Sequence, residues 1–384
     1  MRGAEAVLAC LREQDVDTVF GYPGGMILPL YDALYGQTEI RQILVTHEQN
    51  AAHAADGYAR ATGRVGVCIA TSGPGATNLV TGIATAYMDS IPMVAITGQV
   101  DLEMLGRDAF QETDILDVTM PVTKHNYKVK NAADLVPIIR EAFDLARSGR
   151  PGPVLIDVPR NLFFEEVAYA EQKREERRPG KPDADFAICA AEAAAEIVNA
   201  ERPLVIVGGG VISAGASAQA IAFIEKYKLP VVHTLMGMGG IPSTHPQMLG
   251  FIGMHGAKTA NYAVGAADLV IALGSRFADR QTGNLSKFTA NRKFIHIDID
   301  PAEIDKIVGS SIGLAGDMCV ILNLLMRQAP KSDYAAWWQQ LHTWQEEFAY
   351  DYHSDALSVP WALNQVARMT AGKAYAYATD VGQH

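Results

Sequence analysis

The sequence predicts an α/β protein made of two doubly wound parallel-sheet domains and the start of a third. Short apolar runs alternate with amphipathic or small-residue helices over residues 18–158, and again over 203–298. Glycine-rich turns, Gly21-Tyr-Pro-Gly-Gly25, Ser72-Gly-Pro-Gly75 and Gly208-Gly-Gly210, follow strand ends. Between the two regions, the mixed-charge, proline-punctuated stretch 165–185 reads as a solvated linker.

In order, residues 3–14 read as a helix, 18–20 as a strand, 27–34 as a helix and 43–45 as a buried strand. A small-residue helix over 49–61, with Ala51, Ala52, Ala54, Ala55 and Ala59, precedes a strand over 65–70. A helix over 76–87 and strands over 93–97 and 153–158 follow. In the second region, strands fall at 203–207, 230–233, 269–273 and 294–298, with a helix over 216–227. Trp337, Trp338, Leu341 and Trp344 have helical spacing in a helix over 331–352 that leads away from this domain, a packing stripe. A helix over 361–369 and a strand over 374–378 open a third unit. The expected division is 1–164, linker 165–185, 186–330, linker helix 331–360 and 361–384.

A chain of 384 residues with 49% hydrophobic and 20% charged residues supports two or three packed domains. The net charge of −11 argues against nucleic acid or an anionic membrane as the main partner. The four cysteines are far apart and form no C-x-x-C pair, which fits a reducing cytoplasm without zinc or a disulfide framework, and Cys68 reads as a buried thiol. The opening residues have no signal-peptide layout, and no apolar run reaches the length of a membrane span. The expectation is a soluble cytoplasmic protein.

The stretch Thr46-His-Glu-Gln-Asn50 places Glu48 where strand gives way to helix. A carboxylate there is either an ordinary helix-start acid, favoured by the helix dipole, or a buried proton donor with a raised pKa. The glycine turns at 21–25 and 72–75 fall on the same expected rim and allow close backbone approach to a flat ligand. Ser72-Gly-Pro-Gly75 lacks the lysine of a P-loop, and Ser213 replaces the third glycine of a dinucleotide turn at 208–213. Asp298-Ile-Asp300 reads equally as a ribose-binding acid or a strand-end turn. Arg276 and Arg280 are either anion ligands or surface arginines. The histidines at 47, 53, 125, 233 and 255 have no metal-ligand spacing, and there is no G-x-S-x-G elbow.

These motifs resemble the catalytic subunit of the acetolactate synthase (acetohydroxyacid synthase) family, which depends on thiamine diphosphate. The likeness rests on Gly21–Leu34, the Glu48 stretch, Thr71-Ser-Gly-Pro-Gly-Ala-Thr-Asn78, Asp108-Ala-Phe-Gln-Glu112, Gly253-Met-His-Gly256 and Thr379-Asp-Val-Gly-Gln-His384, and runs along the whole chain in order. It implies a pyrimidine-binding first domain and an FAD-type central domain. Glu48 would hydrogen-bond the aminopyrimidine ring nitrogen of thiamine diphosphate and favour the tautomer that deprotonates the thiazolium. Tyr22, Pro23, Gly24 and Gly25 would lie beside that cofactor. Gly25, Phe110, Gln111, Arg160 and Arg276 would lie near pyruvate and the second oxo acid, pyruvate or 2-oxobutanoate. A structural FAD would be held by Arg150, Gly208, Gly209, Gly210, Thr234, Leu235, Met254, His255, Gly274, Arg276, Arg280, Asp298, Ile299 and Asp317.

The family implies a homo-oligomer, dimer or tetramer, with active sites shared between subunits and a small regulatory subunit. Asn50, Arg107, Arg160 and Ala278 depart from its usual pattern, and Ala278 bears on FAD affinity. The Gly-Asp-Gly…Asn motif that holds diphosphate through Mg²⁺ in the family is absent from these residues. The expectation is therefore roughly two hundred further residues, no metal site in this stretch, and no activity from it alone. Another thiamine carboligase, a pyruvate oxidase and a noncatalytic nucleotide-binding or regulatory derivative are the rival readings.

Overall fold

The computed structural model describes residues 1–172, 184–329, 333–352 and 357–377. Residues 173–183 of the expected linker and the stretch Thr379-Asp-Val-Gly-Gln-His384 lie outside them. The first sheet comprises β1 (Thr18–Gly21), β2 (Arg41–Leu44), β3 (Gly66–Ala70), β4 (Met93–Gln99), β5 (His125–Lys128) and β6 (Pro153–Pro159). Its strands are all parallel, in the order β2-β1-β3-β4-β6-β5. The second comprises β7 (Pro203–Val207), β8 (Val231–His233), β9 (Met248–Phe251), β10 (Leu269–Leu273), β11 (Lys293–Asp298) and β12 (Ile312–Ala315). It is also parallel throughout, in the order β12-β11-β10-β7-β8-β9.

The centre of each sheet is buried on both faces, as parallel sheets covered by helices must be. Every residue of β3, β4, β6, β7 and β10 is buried. The alanine-rich helix Glu48–Thr62 owes its composition to close packing. A Cβ on Gly66 would stand 2.1 Å from the Ala55 carbonyl oxygen, and one on Gly82 would stand 2.4 Å from Ala52 Cβ. Gly63, with φ +71°, ends the helix.

Four expectations are corrected. The 43–45 strand is not buried: β2 is the edge of its sheet, and Leu44 is 62% exposed. The 76–87 helix is two pieces, Pro74–Asn78 and Val80–Asp89, because at Leu79 the N–H bonds the Ala76 carbonyl, three residues back. The tryptophan helix, Ala335–Glu347, does not lead away from the second domain but packs on it. Trp337 is buried and donates its indole N–H to the Pro203 carbonyl at 3.0 Å, while the Tyr334 hydroxyl donates to the Ile197 carbonyl at 2.7 Å. Residues 374–377 form no strand, since no neighbouring strand among the described residues offers them a ladder.

Three ion pairs, Arg276–Asp89, Arg150–Asp300 and Arg150–Glu303, join the two domains near the turn after the helix Val80–Asp89, and Arg60 of the first domain shares Asp89. Asp89 accepts from Arg60 at 2.8 Å and from Arg276 at 3.4 Å, and Arg276 also bonds the Met88 carbonyl. Arg150 donates to Ser90 Oγ at 2.8 Å, to Glu303 at 2.6 Å and to Asp300 at 3.4 Å. Burial pushes the Cys10 and Cys68 thiols up to about 12, so both are held as neutral thiols.

Candidate active site

In a doubly wound sheet the ligand crevice opens beyond the carboxyl ends of the strands where the strand order reverses. In the first sheet that point lies between β1 and β3. Tyr22 to Gly25 leave β1 there and Thr71 to Gly75 leave β3. The two turns are tied together by the Met26 N–H, which donates to Thr71 Oγ1 at 3.2 Å. Their contact is close enough that a Cβ on Gly24 would stand 2.5 Å from Thr71 Cγ2. A side chain at position 25 would meet nothing within 4 Å, so that face of the turn opens onto the crevice.

Glu48 is brought to the same place by its helix. His47 is an extended N-cap whose Nδ1 accepts from the Gln49 N–H at 3.2 Å, which makes Glu48 the first helical residue. Glu48 as a residue is only 9% exposed. Asn78 donates to Glu48 Oε2 at 2.9 Å, and a Cβ on Gly75 would come 3.2 Å from Glu48 Oε1. The helix-start acid and the inward-facing carboxylate are thus one arrangement: the helix N-terminus favours the charge and fixes its direction. Ser72 Oγ, buried at the turn beside them, has no hydrogen-bond partner among the described residues. An open glycine face, a bonded carboxylate with one oxygen free of Asn78 and an unsatisfied hydroxyl fit a flat polar ring such as an aminopyrimidine.

Gln111 adjoins this crevice through its backbone, because a Cβ on Gly73 would stand 2.7 Å from its carbonyl oxygen. Phe110 beside it is 81% exposed. Arg160 follows β6, which is separated from β3 by β4, and its guanidinium lies over Phe164, with Cζ 5.7 Å from the ring centre. Asn78 and Thr71 are the residues that residue-level reading passed over as site members. Both stand in the quoted stretch 71–78, and only the fold shows that Asn78 reaches Glu48, 30 positions earlier.

The second sheet reverses order between β10 and β7. The register pairs Val207 with Leu273 and His233, and Leu273 with Ile297, so Gly208, Thr234, Gly274 and Asp298 follow on one rim. Thr234 Oγ1 caps its own turn by accepting from the Gly237 N–H at 3.1 Å, and Asp317 caps the helix Met318–Leu325 by accepting from the Val320 N–H at 3.0 Å. Burial raises the Asp298 carboxyl, which accepts the Asp300 N–H at 3.0 Å as a strand-end turn does. Leu235, Met254 and Ile299 are exposed apolar side chains in the segments after β8, β9 and β11, and His255 is exposed beside Met254. These fit a planar cofactor laid across the rim. Arg280 is exposed, whereas Arg150 and Arg276 lie in the seam between domains. Among the described residues no group of three or more His, Cys, Asp or Glu side chains is placed to hold a metal.

Two such sheets in sequence are the architecture of the thiamine pyrophosphate enzymes, and comparison with known families puts the chain in that class. Residues 1–118 match the thiamine pyrophosphate enzyme N-terminal TPP binding domain, and residues 190–325 match the central domain of these enzymes. Over 396 residues the chain is 43% identical to the acetolactate synthase isozyme 3 large subunit of Escherichia coli, covering all of this chain and 69% of that one. It is 46% identical over 395 residues to the acetolactate synthase large subunit of Parasynechococcus marenigrum, covering all of this chain and 64% of that one. With the probable acetolactate synthase large subunit of Methanocaldococcus jannaschii it shares 49% over 330 residues, or 85% of this chain and 56% of that one. The chain belongs to the acetolactate synthase large-subunit family. It spans between 56% and 69% of the length of these three relatives.

Proposed function

We propose that this chain carries the aminopyrimidine side of a thiamine-diphosphate-dependent acetolactate synthase active site. The reaction releases carbon dioxide from pyruvate and joins the remaining two-carbon unit to a second 2-oxo acid, pyruvate or 2-oxobutanoate, as branched-chain amino acid synthesis requires. The carrying observation is Glu48, buried at the switch point with Asn78 on one oxygen and glycine faces around it. Bound thiamine diphosphate would supply the electron sink for loss of carbon dioxide. Glu48 holds and moves the proton at the ring nitrogen, and Asn78 fixes the carboxylate so that one oxygen faces the crevice. Gly25 keeps a side chain out of the ring's place, while Gly24 and Gly75 let the two turns close on Thr71. Phe110 and Gln111 shape the substrate side, and Arg160 and Arg276 are the charged groups that the family resemblance assigns to it.

We assign the second rim to FAD in a structural role, supported by Gly209, Thr234, Leu235, Met254 and Ile299 around it. Exposed Leu28, Tyr35, Leu44, Phe110 and Met120 on the first domain suit a second copy of the protein, and so a shared site. No helix among the described residues is long and apolar enough to cross a membrane, and the four cysteines are free, which supports a cytoplasmic setting.

The full-length protein carrying this sequence, supplied with thiamine diphosphate and Mg²⁺, is expected to form acetolactate from pyruvate and to show a bound-flavin spectrum. Absence of acetolactate sinks the reading, and a colourless active enzyme removes the FAD assignment. Asn78→Ala is expected to lower kcat about tenfold or more, the worth of a hydrogen bond to a charged group, with the melting temperature little changed. Steady-state kinetics beside a thermal melt checks it.

A further inference from the structure

Beneath the glycine turn of β3, the sheet contains a polar chain. Asp157 on β6 and Thr97 on β4 are register partners, and Gln99 lies two residues further along β4, on the same face. Asp157 and Thr97 are fully buried and Gln99 is 1% exposed. Thr97 Oγ1 donates to Asp157 Oδ1 at 2.7 Å. Gln99 Nε2 donates to Asp157 Oδ2 at 3.0 Å and to the Thr113 carbonyl at 2.9 Å, while its Oε1 accepts from the Val100 N–H at 2.9 Å. The Gln99 amide therefore has one orientation, because turning it over would set its oxygen against the carboxylate. A carboxylate buried within an apolar sheet is costly, and packing alone gives no reason for it.

Thr113 closes the 105–113 segment, which carries Phe110 and Gln111. Asp108 and Gln111 both have positive φ, at +52° and +60°, and Glu112 folds back to accept from the Gly106 and Ala109 N–H groups. Gln111 presses its backbone on Gly73. Glu112 lies within the segment and Gly73 within another turn, so among the described residues the Gln99 bond ties the segment itself to a strand, with the Asp114–Lys128 pair just beyond its end.

We propose that Asp157 is a positioning residue: through Gln99 it anchors the 105–113 segment and so sets where Phe110 and Gln111 stand over the glycine turn. This deepens the functional reading and rests on it, since the place of Phe110 and Gln111 matters to substrate only if this rim is the thiamine site. The charged groups that act on Asp157 are Lys128, its register partner on β5, and Asp114, ion-paired to Lys128 at 3.1 Å. Burial pushes the Asp157 carboxyl up to about 6, so at neutral pH it accepts at both oxygens.

The test compares Asp157→Ala, Asp157→Asn and Gln99→Met by amide hydrogen exchange at neutral pH without ligand, and by kinetics in the full-length enzyme. Asp157→Ala and Gln99→Met are expected to speed exchange across 106–113 about tenfold, the worth of one charge-assisted bond, while β3 and β4 stay protected. Asp157→Asn is expected to restore protection, because its amide oxygen still accepts from Gln99 and its NH₂ donates to the Thr97 hydroxyl. In the enzyme, KM for pyruvate is expected to rise more than kcat falls. Gln99→Met, close in volume and unbranched, reads the same link should Asp157→Ala not fold. Unchanged exchange over 106–113 in folded Gln99→Met overturns the anchoring, and loosened exchange with unchanged KM in an active enzyme overturns its bearing on substrate. A parent enzyme that makes no acetolactate counts against the functional reading alone, since exchange is measured without turnover.

Discussion

Glu48→Gln in the full-length enzyme is expected to lower acetolactate formation by about a hundredfold or more, the range of general acid–base catalysis. The amide has the shape of the carboxyl and keeps one oxygen to accept the 2.9 Å bond from Asn78. What it loses is the second oxygen. In its place stands an NH₂ group that neither takes up nor releases a proton at working pH. Stability is expected to change little, because the substitution removes a buried charge at a helix start and leaves the packing of Ala51, Ala52 and Ala55 intact. Undiminished turnover of pyruvate in the folded variant would take Glu48 out of the reaction. Glu48→Asp separates geometry from chemistry: it keeps the acid but draws it back by one methylene, so a partial loss is expected.

Much of this arrangement was legible in the sequence because central strands of parallel sheets are continuous apolar runs. β3, β4, β6, β7, β10 and β11 were all readable on that ground, and the glycine turns mark their carboxyl ends. The strands that sequence reading passed over are β5, β9 and β12, each at the edge of its sheet or paired on one side only. His125-Asn-Tyr-Lys128 is polar, Met248-Leu-Gly-Phe251 contains Gly250 with φ +112°, and Ile312-Gly-Leu-Ala315 has a glycine within four residues. An edge strand lacks the two-sided burial that writes itself into composition. The same physics explains why 43–45 was expected to be buried: three apolar residues in a row suit the centre of a sheet, yet here they close the sheet's border. The site followed a similar rule. Glu48 and the turns were placed on one rim by strand order, whereas the Asn78 bond and the Asp157–Gln99 chain depend on contacts between distant positions that spacing does not encode.

Gly274→Ala is expected to destabilise the central domain by about 2–5 kcal/mol, from the left-handed backbone and the overpacking together. The turn Gly208-Gly-Gly210 looks like a ligand cradle, although in the sequence Ser213 stands where a dinucleotide turn has its third glycine. In the fold they meet protein. A Cβ on Gly208 would stand 2.0 Å from the Gly274 carbonyl oxygen, and one on Gly210 would stand 2.7 Å from Gly274 Cα. Gly274 itself has φ +58°, and a Cβ there would lie 2.5 Å from Gly210 Cα and 3.0 Å from its C and N, backbone atoms that no flexible side chain can move aside. These glycines let two strand ends of the switch point touch, so their identity is explained without a flavin. The measurement is a urea or thermal melt of flavin-free protein. A lower midpoint in Gly274→Ala is the expected result, and an unchanged midpoint with lost flavin would return these glycines to the ligand. Gly25→Ala is the opposite case. Nothing lies within 4 Å of its would-be Cβ, so the melt should move little while the affinity for thiamine diphosphate falls, as the proposed place of the cofactor beside this turn requires. Packing explains Gly274, whereas the proposed site asks for Gly25, and the two variants test that division.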